Sequence, residues 1–360
     1  MGLLRTLTDK ITPGASADSN ATKPGPDGFL TAKGTDALFQ RTQAEIDGEE
    51  CLHDCETCTI HLPRSFKIDE SDRLFGEIKG WSRHLVVATG KTDWVRDVAD
   101  EKGSVMEAVE KHNSDVQGGR LMLSASNMEL PDHNSGPYGS DRPTTVLLMP
   151  AFQFVDNVTP NHVPQLIQSV INTAPTNTSR LNSSHDSNGT AASLTEAPSP
   201  SLQSSALPAG LSLRNCPHKY VILMCSQATR DARCGQSAPL LRKELERHLR
   251  PLGLYRDLSD ERPGGCGIYF ISHVGGHKYS ANVMVYRRAE PRRSVQEQID
   301  GGVVGGRGNE GEAAQCIWLA RVRPEDCENI VRFTVLQGKV VKPERQLRGG
   351  FDRERGVVSW

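Results

Sequence analysis

The sequence predicts an α/β protein in two folded parts, and three observations carry that expectation. Short apolar runs of strand length alternate with stretches of helical spacing. A run dominated by Asn, Ser, Thr, Ala and Pro interrupts the alternation near the middle of the chain. Beyond it, two pairs of ligand-type residues, Cys225 with Cys234 and His273 with His277, each follow directly on an apolar run. The chain's 360 residues leave room for two domains of ordinary size.

Residues 1–45 are rich in Gly, Ser, Thr, Asp and Pro without periodicity and read as disordered. Residues 46–171 read as a smaller α/β segment. It has strands at 84–88 (HLVVA) and 145–149 (TVLLM), and helices at 104–112 and at 161–171, with Pro164 near the start of the second. Residues 172–213 (SLTEAPSPSLQSSALPAG is typical) read as a linker or a long loop insertion. In the segment 214–336 the pattern sharpens. A strand at 219–224 ends at Cys225, and an amphipathic helix at 239–249 has Leu240, Leu241, Leu245 and Leu249 on one face and Pro239 in its first turn. A second strand covers 267–271, two more cover 282–286 and 316–322, and a helix covers 324–335. The charged, Gly-rich insertion 289–314 lacks the Lys-Ser/Thr of a phosphate loop and reads as the tip of a hairpin. Residues 337–360 read as a tail. The order β-α-β, antiparallel pair, helix is that of a thioredoxin-like half-barrel sheet in the C-terminal half, with a related or appended α/β segment before it.

Composition bounds the function. The formal net charge of −2 offers no electrostatic reason to bind nucleic acid or an anionic membrane. No stretch approaches the ~18 apolar residues of a membrane span. MGLLRTLTDKITPG lacks a signal-peptide core, although it fits the myristoylation pattern at Gly2. Nine cysteines without an export signal point to metal or redox use in a reducing compartment rather than to disulfides. Cys266, Cys316 and Cys327 sit in or beside apolar elements and read as buried structural thiols.

Two thiolates and two imidazoles delivered by neighbouring strand ends make a four-ligand metal site, suited to zinc or to iron–sulfur chemistry. Along a strand, His273 and His277 would lie about 13 Å apart, and Gly275 and Gly276 disfavour a helix. A tight turn through Val274-Gly275-Gly276 is the arrangement that brings the rings to one point. A second cluster, Cys51, Cys55 and Cys58 in ECLHDCETC, has the spacing of a redox dithiol or a zinc site, with His53 and His61 nearby.

CSQATRDARCG, APLLRKEL, GLYRDLSD, HVGGHKYSANV and IWLARVRP, in that order, resemble the sucrase/ferredoxin-like family of thioredoxin-like ferredoxins, most densely over residues 219–324. The resemblance implies a 2Fe–2S cluster, with Cys225 and Cys234 holding one iron and His273 and His277 the other, and no sucrase activity. It implies a non-enzymatic one-electron carrier or redox sensor with an unidentified redox partner. Nearby Arg230, Asp231, Arg233 and Lys278 read either as tuning groups or as loop salt bridges. The final residues, Val358, Ser359 and Trp360, resemble the C-terminal tripeptide by which cytosolic iron–sulfur proteins engage the cluster-targeting complex, which implies the cytoplasm rather than the mitochondrion. Rival expectations are a zinc-stabilised adaptor linked to actin organisation or stress resistance, using the same four ligands, and a thiol–disulfide oxidoreductase using Cys55 and Cys58.

Overall fold

The computed structural model describes residue 25 and residues 27–51, 60–131, 142–181, 207–289 and 311–360. Strand β1 (Leu30–Thr31) and two one-turn helices (Thr35–Leu38 and Ala44–Asp47) lead into a first unit. That unit runs β2 (Arg83–Ala88), a helix (Val105–Lys111), β3 (Leu121–Ser126), β4 (Thr144–Met149), β5 (Gln153–Val158) and a helix that begins at Val163–Leu166 and continues with π geometry over Ile167–Ile171. Strand β6 (Ser212–Asn215) then pairs with β5.

A second unit repeats the order. Strand β7 (Tyr220–Cys225) is followed by a helix (Ala232–Leu249), the short β8 (Tyr255–Arg256), β9 (Cys266–Ile271), β10 (Val283–Arg288) and β11 (Ala313–Leu319). A helix at Cys327–Asn329 again continues with π geometry, over Ile330–Val335. Each unit has a parallel pair, β2 with β3 and β7 with β9, flanked by antiparallel partners. The closing helices of both units follow a one-turn 3-10 segment that starts with proline, Pro160 and Pro324. β12 (Leu347–Asp352) and β13 (Val357–Val358) complete one mixed sheet in the order β1-β13-β12-β11-β10-β7-β9-β3-β2-β4-β5-β6, with β8 beside β9. The fold is therefore α/β and thioredoxin-like, as expected.

The strands alternate between two apolar faces. In β2, Leu85 and Val87 pack with the helices of the first unit, and in β7, Ile222 and Met224 pack with the Ala232–Leu249 helix. The intervening residues, Val86, Ala88, Val221 and Leu223, join a cluster shared by both units. The sheet therefore curls so that its inner faces meet. Trp81 packs edge-on to Trp318 at 5.6 Å, and His84 Nδ1 lies 3.1 Å from Tyr286 Oη across the same core. The units also join edge to edge through β3 and β9. There Ser272 N–H donates to Ala125 O at 2.9 Å, and Asn127 Oδ1 accepts from Phe270 N–H at 2.7 Å.

Four boundaries differ from the sequence-based expectation. Within residues 1–45, those from 27 onward include β1 and two helical turns, because β1 finds a parallel partner in β13. Residues 172–181 are not linker: Asn177 is fully buried, its N–H donating to Ser82 O and its Nδ2 to Trp81 O. Residues 182–206 of the expected linker, and 290–310 of the expected insertion, lie outside the described residues. The helix expected at 239–249 starts at Ala232, not Pro239. Asp231 caps it by accepting from Arg233 N–H at 3.0 Å, and Pro239 sits inside it. Residues 337–360 are not a solvated tail: β12 is buried along its whole length because β11 supplies its ladder partners. Among the described residues, no helix is long and apolar enough to cross a membrane.

Candidate metal centre

The parallel pair β7 and β9 ends in register, Cys225 opposite Ile271, so both strands deliver their following loops to one edge. Ligand sites form at such carboxyl ends of parallel strands. Cys225 is the last residue of β7 and His273 lies two residues past β9. Cys234 sits in the first turn of the Ala232–Leu249 helix, where the positive end of the helix dipole favours a thiolate. His277 opens a 3-10 turn whose N-cap, Gly276, has φ of 70°, a left-handed conformation that glycine adopts without strain. The expected turn through Gly275 and Gly276 is therefore present, and the two imidazole rings stand 5.1 Å apart, centroid to centroid.

The two thiols act on each other's ionisation. The neighbouring Cys225 holds Cys234 well below the ordinary thiol range, at about 5. His273 and Ser280 add to the effect and burial opposes it. Cys225 is pushed far up, first by the neighbouring Cys234 and then by burial, so the pair holds one negative charge readily and a second one reluctantly. Ser280 Oγ lies 3.3 Å from Cys234 Sγ and donates to His277 O at 2.7 Å. Burial, followed by the neighbouring His273, lowers the pKa of His277. Both imidazole Nδ1 atoms are buried and have no hydrogen-bond partner. Among the described residues, no group of three or more His, Cys, Asp or Glu forms a ready-made cage for a single ion. The four side chains stand as a thiol pair and an imidazole pair, with His273 near enough to Cys234 to favour its thiolate.

The loop past β2 in the first unit covers this edge. Gln227 is fully buried and ties the two parts together: its Oε1 accepts from His273 N–H at 2.8 Å, and its Nε2 donates to Val95 O at 2.5 Å. Ser226 Oγ donates to Thr92 O, and Thr229 Oγ1 to Asp93. The charged neighbours act mainly as loop salt bridges and hydrogen bonds. Arg233 pairs with Asp231, Lys278 with Asp72, and Arg230 Nη1 donates to Arg96 O.

The other expected residues lie elsewhere. Cys266, Cys316 and Cys327 are fully buried, and burial raises each thiol pKa. Cys51 is fastened by its backbone to the Asn329 side chain, whereas His53, Cys55 and Cys58 lie outside the described residues. Val358 pairs with Phe351 and Thr31, Ser359 Oγ accepts from Gly350 N–H at 3.0 Å, and Trp360 stacks on Trp81 at 4.6 Å. Sequence reasoning did not single out Gln227, Ser280 or Arg348. The first two lie inside the sequence blocks around the Cys and His pairs. Arg348 is distant in sequence, and no local pattern marks it.

The profile of a family described as Sucrase/ferredoxin-like matches residues 74–349. The chain is similar to Actin patches distal protein 1 of Saccharomyces cerevisiae, 25% identical over 336 residues that make up 87% of this chain and 90% of that one. It is also similar to Altered inheritance of mitochondria protein 32 of Clavispora lusitaniae, 31% identical over 125 residues, 35% of this chain and 33% of the relative. The protein of that name from Debaryomyces hansenii is 30% identical over 124 residues, 34% of each chain. The chain thus spans about a third of the length of these last two relatives. No solved structure matches it.

Proposed function

Because the chain belongs to the sucrase/ferredoxin-like family, we propose that it is a one-electron redox protein, a carrier or sensor. Cys225 and Cys234 would hold one iron of a 2Fe–2S cluster, and His273 and His277 the other. The observation that carries this reading is the pair of buried imidazole Nδ1 atoms without partners, on rings 5.1 Å apart, beside a thiol pair already poised to ionise. Buried nitrogens left unpaired cost about 1–3 kcal/mol each, a cost that binding the group would relieve. When bound, the cluster supplies a site that takes up and releases one electron. Neutral imidazoles in place of two thiolates make electron uptake easier, as in Rieske centres, whose potentials lie at roughly −150 to +300 mV against about −400 mV for all-cysteine plant-type ferredoxins.

The chain's own residues set the rest. Gln227 holds the backbone of His273, and Ser280 holds that of His277 and touches Cys234. The His277 side chain is 42% exposed, which gives a redox partner a point of approach. Its Nε2 lies 3.9 Å from Asp231 Oδ2, an acceptor for a proton kept on that atom. We place the protein in the cytosol, with the mitochondrion as the alternative.

Anaerobic purification from the native host, with an absorption spectrum and iron and sulfide analysis, tests the proposal. The expected result is a coloured protein with two irons and two acid-labile sulfides per chain. A colourless protein with stoichiometric zinc and no sulfide overturns it in favour of a zinc-stabilised adaptor.

A further inference from the structure

Arg348, in β12, stands behind the turn that carries the two histidines. Its Nη1 donates to Gly275 O at 3.0 Å and to Asn282 Oδ1 at 2.9 Å, and its Nη2 donates to Glu77 O at 3.3 Å. Asn282 Nδ2 in turn donates to Gly276 O at 2.9 Å. A Cβ on Gly276 would stand 2.7 Å from the guanidinium carbon, so glycine there is what lets the cation close on the turn. The guanidinium lies 4.4 Å over the Trp318 ring, and the residue is 4% exposed. Among the described residues, no carboxylate pairs with it. The other charges at the turn are compensated, Asp231 by Arg233 and Lys278 by Asp69 and Asp72. Burying a cation without a counter-charge is expensive, and here it sits where a negative charge would develop.

We propose that Arg348 is a positioning residue for the redox site: it clamps the His273–His277 turn, and its uncompensated charge favours the reduced state. The inference rests on the reading of these histidines as iron ligands. Two ferric irons, two sulfides, two thiolates and two neutral imidazoles sum to zero charge, and one electron from a reductant makes the site singly negative. Gly275 is two residues from each histidine, at ~3.8 Å per residue, so the cation is close enough to act on that difference.

The test compares the full chain with Arg348→Met, Arg348→Gln and Arg348→Lys, by mediated titration with dithionite and by hydrogen exchange on the metal-free protein. The neutral variants should reduce less readily by about tenfold in the equilibrium constant, a negative shift of about 59 mV for one electron. Arg348→Lys should stay near the parent. In the metal-free neutral variants, the amides of Tyr279 and Ser280, which close the turn on Gly276 O and His277 O, should exchange faster. Cluster-loaded neutral variants with the parental potential overturn the charge role. If no neutral variant retains iron, exchange decides: faster exchange supports the clamp, and unchanged protection overturns it. A parent chain without iron and sulfide overturns the ligand reading and the charge role with it, while exchange still decides the clamp.

Discussion

His84 is fully buried between the two units, with Nδ1 3.1 Å from Tyr286 Oη and Nε2 2.9 Å from Ser124 Oγ. Burial, with a smaller effect of Arg120, pushes its pKa down to about 3, whereas the unfolded chain takes up that proton near the ordinary value of about 6.5. Between those values the unfolded state binds a proton that the folded state refuses. Stability therefore falls as pH drops from about 6.5 toward 3, by at most about 5 kcal/mol. His218, lowered to about 4 chiefly by burial, adds a loss in the same direction. His84→Gln should flatten this dependence. Melting temperatures of the metal-free chain at pH 7 and pH 4 should converge in the variant relative to the parent, and parallel curves would show that His84 does not carry the effect.

The C-terminal strand is the element whose role changed most. A charged segment ending in Val358-Ser359-Trp360 has no core to enter locally, yet β13 is held between β12 and β1, and Thr31 Oγ1 donates to Trp360 O at 2.8 Å. Trp360 also packs so closely on Gly80 that a Cβ there would stand 2.4 Å from the indole. Trp360→Ala should cost about 2–4 kcal/mol, read as a lower melting temperature of the metal-free chain. The damage should spread to the His273–His277 turn, because Ser359 holds Gly350 N–H two residues from Arg348, which bonds Gly275 O. Unchanged stability together with poor iron loading in cells would instead support a targeting role, which requires this strand to come free.

The two units share one topology, and among the described residues the Cys and His pairs of the candidate site belong to the second. At the last position of the corresponding strand, the first unit has Ala88 where the second has Cys225. Two residues past the next strand it has Met128 where the second has His273. Both Ala88 and Met128 belong to the shared core, so the first unit serves as a wall and as the loop that holds Gln227. A fragment of residues 207–360 should therefore expose the inner faces of β7, β9 and β10. Poor solubility and strong binding of a hydrophobic dye are expected; a monomeric, dye-silent fragment would show that the units fold independently.

The apolar runs at 84–88, 145–149, 219–224 and 267–271 were legible as strands because burial on both faces leaves no polar alternation. The placement of the Cys and His pairs was legible for a local reason: each lies within one loop of a strand end, and Gly275-Gly276 writes the turn between the histidines into the sequence. The start of the Ala232–Leu249 helix was not, because Gly235 and Pro239 lower its propensity while the Asp231 cap and the buried face of Leu241, Leu245 and Leu249 override them. The burial of Trp360, the joining of β3 to β9, the loop over the site and the approach of Arg348 all depend on partners far away in sequence. Periodicity and spacing determine elements and local turns, but the choice among distant partners rests on shape and charge complementarity, which exists only once the sheet has closed.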